Sequence, residues 1–394
     1  MNGFAYSIPT TIYFGDDQFD KLGEVVASYG SCVLLTYGGG SIKRTGLYDR
    51  IMGLLQAQGL SVIELGGIEP NPRIASVRRG AQMCKEGNVD VVLAVGGGST
   101  IDCSKFICAG AKADRDPWDW FADKTTPIDD ALPLVTVLTL AATGSEMDSG
   151  GVISNPETHQ KEGRGAACLL PKASFLDPQN TYTVPPFQTA AGSADIISHT
   201  CETYFSQDKD LYFLDTFMEG LLRTVIKFAP IAMADPANGE ARANLMWASS
   251  WAINGFADGG KTQAWSVHPM EHELSAFYDI THGLGLAILT PAWMRFVLAK
   301  DPDGTLPKLV QFAQNVFGIT DPALSDLERA NAGIDALQSF FVNDLKLAPT
   351  LTAIDIDDEH FEQMAEKACH KNPAIAGFVD LTPQDIVKIY KACQ

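Results

Sequence analysis

Hydrophobic and polar positions follow two rhythms along this chain, and the rhythm changes near its middle. In the first half, short apolar runs at 32–36, 61–65, 90–95 and 134–139 read as strands, with a further strand at 11–14. Between them, residues 47–58, 74–85 and 98–111 carry helical spacing. The run 90–95 (Asp-Val-Val-Leu-Ala-Val) is apolar almost throughout, as expected for a strand covered on both faces. Strand–helix alternation of this kind predicts a mostly parallel sheet with helices on both sides.

From Pro185 and Pro186 onwards strand-like runs become rare and the 3.6-residue rhythm dominates. Helices are expected near 189–206, 212–233, 240–257, 266–277, 283–299, 305–316, 326–344, 358–370 and 383–392. Two prolines in a row cannot easily continue a regular element, so they mark a boundary. The expected organisation is an α/β domain over 1–185 and an all-α domain over 186–394, a division that suits 394 residues.

Composition adds little to this outline. With 46% hydrophobic and 20% charged residues the chain is an ordinary globular sequence. Its formal charge of −19 opposes phosphate backbones, so no nucleic-acid partner is expected. No run of about 20 uninterrupted apolar residues occurs and the first residues lack a signal-peptide pattern, so neither membrane insertion nor export is expected. The eight cysteines contain no CxxC pair and read as reduced thiols of a cytoplasmic protein.

Two glycine-rich turns follow predicted strands. Gly96, Gly97, Gly98 and Ser99 close one strand and open a helix, where bare backbone amides and the helix dipole suit a pyrophosphate. The turn departs from the strict GxGxxG pattern, and a tight strand–helix turn explains it equally well. Gly38, Gly39, Gly40, Ser41, Ile42, Lys43 and Arg44 form the other. It contains no carboxylate to face ribose hydroxyls, and its cations suit a 2′-phosphate, so the turn itself favours NADP(H) over NAD(H).

The second half offers metal-binding chemistry. Of seven histidines, four lie at 199, 268, 272 and 282. Asp195 and His199 are four apart, as are His268 and His272, a spacing that puts each pair on one helix face about 5–6 Å apart. Either pair alone is commonly an ordinary polar pair. Together they can surround a divalent ion of the iron, zinc, cobalt or nickel type. A cofactor held by the first domain and a metal held by the second would put the chemistry in a cleft between them.

The chain resembles the iron-dependent (group III) alcohol dehydrogenase family, and within it the butanol dehydrogenase branch. The resemblance is carried, in order, by TYGGGSIKRTGLYD (36–49), EPNPR (69–73), AVGGGSTIDCSK (94–105), LTLAATGSEMDSGGVIS (138–154), LDPQNTYTVPP (176–186), ADIISHTCE (194–202) and HPMEHELSAFYDITHGLGLAI (268–288). It implies a Rossmann-like dinucleotide-binding α/β domain followed by an all-α domain, the architecture shared with dehydroquinate synthase. It implies Asp195, His199, His268 and His282 as ligands of Fe²⁺, with Zn²⁺ as the alternative. It implies His272 as a proton relay near the substrate. Cofactor contacts would come from Gly39, Ser41, Gly97, Gly98, Ser99, Asp102, Thr139, Thr143, Ser145 and Lys161. The implied activity is reversible hydride transfer between NAD(P)(H) and small primary alcohols or aldehydes such as butanol and butanal, in a homodimer.

Glu271 departs from the family, which often has a small residue before the second histidine; it is expected to face solvent. Pro269 places His268 at a helix start, where proline is tolerated. Trp247, Trp251, Phe256 and Trp265 lie near the ligands in sequence, and core packing is expected for most of them. Two other readings remain. His268–His272 also spells HxxEH, an inverted zinc-protease motif that Pro269 disfavours. A glycerol-type polyol dehydrogenase would share the fold, but such proteins generally lack a histidine at the position of His199.

Overall fold

A computed structural model describes residues 2–262, 264–370 and 372–394. Six parallel strands form one sheet: β1 (Thr11–Phe14), β2 (Cys32–Tyr37), β3 (Ser61–Leu65), β4 (Val91–Gly96), β5 (Leu134–Leu138) and β8 (Ala173–Leu176). Their order is β1-β8-β5-β4-β2-β3. β6 (Gly150–Asn155) and β7 (Gln160–Gly165) make a separate antiparallel hairpin.

The central strands show why the sheet is layered on both faces. Along β4, Val91, Leu93 and Val95 enter one apolar core while Val92 and Ala94 enter the other. The first core is closed by Leu22 and Val26 of the Leu22–Ala27 helix and by Ile51 and Leu55 of Leu47–Ala57. The second is closed by Val77 and Cys84 of Ile74–Glu86 and by Ile101 and Phe106 of Gly98–Lys112. β4 and β5 are buried along their whole length, whereas the edge strands β1 and β3 are mostly not.

The chain leaves β2 for β3 on one side and then returns to place β4 on the other side of β2. That reversal is the position in an open parallel sheet where ligands bind, beyond the strand carboxyl ends. Both glycine-rich turns lie there, one after β2 and one after β4.

Contacts divide the chain into two units. One holds Ser7–Val184 and Pro236–Asn254; the other holds the N-terminal residues through Tyr6, Pro185–Asp235 and Gly255–Gln394. The Gly239–Ile253 helix therefore departs from the expected division at 185. Its hydroxyl groups and apolar side chains explain the departure. Met246 joins the second sheet core, Trp247 packs edge-on to Phe14, and Ser250 donates a 2.5 Å hydrogen bond to the Glu146 carboxylate. Gly144, in the left-handed region at φ 66°, lets the turn after β5 approach the same helix. A Cβ at Gly144 would lie 2.6 Å from the Ser249 carbonyl oxygen.

The helical unit contains the expected helices with small shifts of their ends. They are Pro186–Tyr204, Tyr212–Ala234, Val267–Tyr278, His282–Lys300, Pro302–Phe317, Asp326–Ser339, Phe361–Ala368 and Pro383–Ala392. His282–Lys300 is long and apolar enough, by length and composition, to cross a membrane, and most of it is buried inside the protein.

Glu146 gives the α/β unit a pH dependence. Burial pushes its carboxyl up to about 7. A carboxyl raised in the folded state favours folding while protonated, and that advantage fades as pH rises from the unfolded value of about 4.5 to the folded one. Replacing it by Gln should remove a loss on the order of 3 kcal/mol between pH 5 and pH 8. Urea unfolding of wild type and Glu146→Gln at both pH values measures this; parallel pH profiles would contradict it.

Candidate metal and dinucleotide sites

The proposed metal ligands come from three helices of the helical unit. Asp195 and His199 share one face of Pro186–Tyr204, as their spacing predicts. His268 is the second residue of Val267–Tyr278, so Pro269 falls in the first helical turn and breaks nothing. His282 is the first residue of His282–Lys300.

These side chains converge on one oxygen. Asp195 Oδ1 lies 3.6 Å from His199 Nε2, 3.9 Å from His268 Nε2 and 3.7 Å from His282 Nε2. Asp195, His199 and His268 are buried. Among the described residues, Asp195 Oδ1 and His268 Nε2 have no hydrogen-bond partner, a costly state for buried polar atoms. Separations of this size are what donors adopt when each lies about 2.1 Å from a shared ion. Asp195, His268 and His282 offer donor atoms all within 4.8 Å of one another, and His199 adjoins them through Asp195. One carboxylate with imidazoles is a donor set that fits a divalent transition metal.

Electrostatics agree with a site built for positive charge. Burial alone would raise the Asp195 carboxyl, but the surrounding histidines outweigh burial and hold it well below the usual carboxylate range. Burial also pushes His199 down, opposed by Asp195. His268 moves up despite burial because Asp195 and Glu202 both stabilise its protonated form. The rings of His199 and His268 stack 4.6 Å apart, and Trp265 meets both edge-on. Of the four aromatic residues considered from sequence, Trp265 packs against these ligands. Phe256 packs among Tyr6, Phe213 and Phe217, and Trp247 packs on Trp251.

Sequence reasoning gave no role to two acidic residues. Glu202 lies one turn beyond His199. Its carboxylate accepts backbone N–H bonds from Ser266, Val267 and His268 at 2.7–2.8 Å, tying down the start of the Val267–Tyr278 helix. It also lies 3.1 Å from His268 Nδ1. Glu271, expected to face solvent, is completely buried. Its place on the Val267–Tyr278 helix turns it inward, where it accepts a 2.5 Å hydrogen bond from Ser275 and contacts His282 Nδ1. A carboxylate engaged in this way is poorly suited to the water-activating role of the HxxEH reading. His272 also approaches: with Glu271 and His282 it forms a second group whose donor atoms lie within 4.8 Å of one another. Its ring is 5.6 Å from that of His282.

In the α/β unit most of the expected cofactor residues cluster around the start of the Gly98–Lys112 helix. Gly98 is packed so closely that a Cβ there would lie 2.3 Å from Thr143 Oγ1. The Thr143 hydroxyl accepts the Ser145 N–H, and Ser145 Oγ donates to Asp102 at 2.5 Å. The other Asp102 oxygen accepts the Val152 N–H, so Asp102 ties the turn after β5 to the β6–β7 hairpin. The Thr139 N–H bonds to the Gly96 carbonyl. Gly97 caps the helix and Ser99 lies in its first turn, so both stand at its positive end. Lys161 is buried on β7, paired in register with Ser154.

The turn bearing Gly39 and Ser41 faces a carboxylate that its own sequence lacks. Glu64 of β3 lies 3.2 Å from Lys43 Nζ and accepts hydrogen bonds from the Tyr37 and Tyr48 hydroxyls at 2.8 and 2.6 Å. Lys43 also sits over both tyrosine rings. Lys43, one of the two cations that suggested a 2′-phosphate, is already paired.

Residues 9–178 match the model of the iron-containing alcohol dehydrogenases, and residues 189–394 match that of the C-terminal region of the Fe-containing alcohol dehydrogenase family. The chain belongs to the iron-containing alcohol dehydrogenase family. It is 50% identical over 392 residues to NADH-dependent butanol dehydrogenase A of Clostridium acetobutylicum, covering 99% of each chain. It is 40% identical to the NADPH-dependent aldehyde reductase YqhD of Escherichia coli, covering 86% of each. The crystal structure of NADH-dependent butanol dehydrogenase A from Thermotoga maritima superposes with a TM-score of 0.93 at 35% identity, covering 100% of this chain and 99% of that one. The protein is thus an NAD(P)-dependent oxidoreductase of the alcohol dehydrogenase type, in the butanol dehydrogenase branch.

One glycine sets how closely two ligand-bearing helices approach. A Cβ at Gly283 would lie 1.9 Å from the Ala191 carbonyl oxygen, so Pro186–Tyr204 and His282–Lys300 touch through backbone. Gly283→Ala must push them apart, and with them Asp195 and His282. Overpacking of this kind costs about 1–3 kcal/mol. The expected result is a Tm lowered by roughly 1–4 °C together with weaker metal retention, read by thermal unfolding and by metal analysis after dialysis. A variant with wild-type Tm and metal content would contradict this account of the helix contact.

Proposed function

We propose that the protein interconverts small primary aldehydes and alcohols with a nicotinamide dinucleotide, using a divalent metal held by Asp195, His199, His268 and His282. The observation that carries the reading is the buried Asp195 oxygen, unpartnered among the described residues, with three imidazole Nε2 atoms within 4 Å of it. Iron is the ion the family name suggests, and the same donors suit zinc. When bound, such an ion polarises a carbonyl or alkoxide oxygen, and the nicotinamide supplies or accepts hydride.

The protein's own residues bind, orient and move a proton. Asp195 contributes the negative charge that retains a cation, and the histidines contribute neutral donors. His272 is proposed as the proton relay: imidazole has a suitable intrinsic affinity, and its ring lies beside that of His282. Gly97, Gly98 and Ser99 offer backbone amides and a helix dipole to the pyrophosphate, while Thr139, Thr143 and Ser145 border the same turn.

NADH is proposed as the better reductant, reversing the reading of the Gly38–Arg44 turn taken alone. The pairing of Lys43 with Glu64 supports this, because a 2′-phosphate beside Ser41 would meet a carboxylate as well as a lysine. The NADH-dependent relative at 50% identity agrees with it. The protein is further proposed to act as a cytoplasmic homodimer. Its eight free cysteines suit a reducing compartment, and edge strand β1 leaves one side of the sheet open for a second copy.

Metal removal tests the function. Protein stripped with chelator should lose butanal-dependent NADH oxidation and regain it on anaerobic addition of Fe²⁺ or on addition of Zn²⁺. Asp195→Ala should not respond to metal. Full activity in the stripped protein would overturn the reading.

The cofactor choice has a separate test. Glu64→Gln should shift the kcat/KM ratio about fivefold towards NADPH, as expected for one exposed charge. An unchanged ratio would remove Glu64 from the argument.

A further inference from the structure

We infer that Glu271 is a positioning residue for the metal site, which fixes the ring nitrogen that His282 offers to the ion. The inference rests on the metal reading given above. His282 is the ligand that most needs such help. It begins its helix, and its side chain is 22% exposed, against 4–5% for Asp195, His199 and His268. A neutral imidazole carries its proton on either nitrogen and binds metal only through the bare one. A carboxylate at Nδ1 draws the proton there. It leaves Nε2 bare, and Nε2 is the atom 3.7 Å from Asp195 Oδ1.

Three features show that Glu271 is built into this position. It is completely buried, where an unpaired carboxylate would be strongly disfavoured. Ser275, one turn along the same helix, donates to its Oε1 while Oε2 contacts His282 Nδ1. The facing helix carries Gly285, where a Cβ would lie 2.8 Å from Glu271 Cγ and 3.0 Å from Oε1. Gly285 thus leaves the space that Glu271 fills.

The same device recurs at another ligand. His268 Nδ1 lies 3.1 Å from Glu202 Oε1, so two of the three histidines carry a buried carboxylate behind the ring. The two acids come from different helices, Pro186–Tyr204 and Val267–Tyr278. His199 Nδ1, in contrast, is buried with no hydrogen-bond partner among the described residues. Carboxylates behind metal-binding histidines orient the ring and raise its basicity, and their loss typically weakens metal binding 10–100-fold.

The test uses Co²⁺ alone, titrated into metal-stripped full-length protein. Affinity is read by chelator competition, site geometry by visible absorption, and stoichiometry by metal analysis. Wild type should bind one ion per chain, and Asp195→Ala should bind it more than about 100-fold more weakly. Glu271→Ala should weaken binding about 10–100-fold and alter the cobalt spectrum. Glu271→Gln should recover much of the loss, because its amide oxygen still accepts the Nδ1 proton. Gly285→Ala keeps the carboxylate but displaces it, and should also weaken binding; it carries the test if Glu271→Ala does not fold, as judged by circular dichroism. Wild-type affinity and spectrum in Glu271→Ala, with Asp195→Ala impaired, would overturn the positioning role alone. Two ions per wild-type chain, one lost with Glu271, would overturn it in favour of a second site with His272. No binding by wild type, or undiminished binding by Asp195→Ala, would overturn the metal reading and this inference with it.

Discussion

The helical unit is organised around negative charge that its protein groups do not fully satisfy. Asp195, Glu202 and Glu271 are all buried, and all face the same group of imidazoles. Burying one carboxylate already carries a desolvation cost of several kcal/mol, repaid only by good pairing. Glu202 is well paired, with three backbone N–H groups at a helix start and an imidazole. Glu271 has a serine and an imidazole. Asp195 Oδ1 has histidines near it but none within hydrogen-bond distance. The metal proposed for this site would supply the compensation missing at Asp195, as positive charge among the Nε2 atoms.

The geometry that permits this depends on close backbone approach rather than on side-chain fit. Gly283 against Ala191 lets two helices that carry proposed ligands touch, and Gly285, two residues on, makes room for Glu271. Gly98 plays a comparable part in the α/β unit, where Thr143 occupies the space a Cβ would need. In each unit a glycine at or near a helix start lets a functional side chain lie against backbone. Glycine is conformationally costly in a helix, so its use at these places reflects the approach it allows.

Much of this was legible in the sequence because its signals are local. Buried parallel strands are apolar runs, and β2 to β5 were visible for that reason. The long helices have strong 3.6-residue patterns, and the Asp195–His199 spacing needs only one helix to be meaningful. What was hidden is either short or non-local. β8 has four residues, and β7 (Gln-Lys-Glu-Gly-Arg-Gly) shows no apolar alternation at all. The Gly239–Ile253 helix looks like its helical neighbours because hydropathy does not say which core a helix joins. Glu271 read as a surface acid because acids usually are. The usable signal was its place three residues after one histidine and one before another, on a helix whose neighbours Met270 and Leu274 are buried.

The Lys43–Glu64 pair shows the same limit in electrostatic form. A turn with a lysine, an arginine and no carboxylate looks cationic when read along the chain. Parallel pairing brings β3 beside β2, with Glu64 opposite Leu35, and so carries an acid from over twenty residues away to that turn. Two tyrosine hydroxyls then hold the carboxylate in place, with the lysine stacked over their rings. Burial would raise the Glu64 carboxyl, but those hydroxyls, Tyr48 foremost, outweigh it and lower it, keeping it ionised. A fixed, ionised acid weakens the local attraction for a phosphate more than a mobile one, because it cannot swing into solvent when an anion arrives. The sign of the potential at a nucleotide-binding turn is thus set by strand order as much as by the turn's own residues.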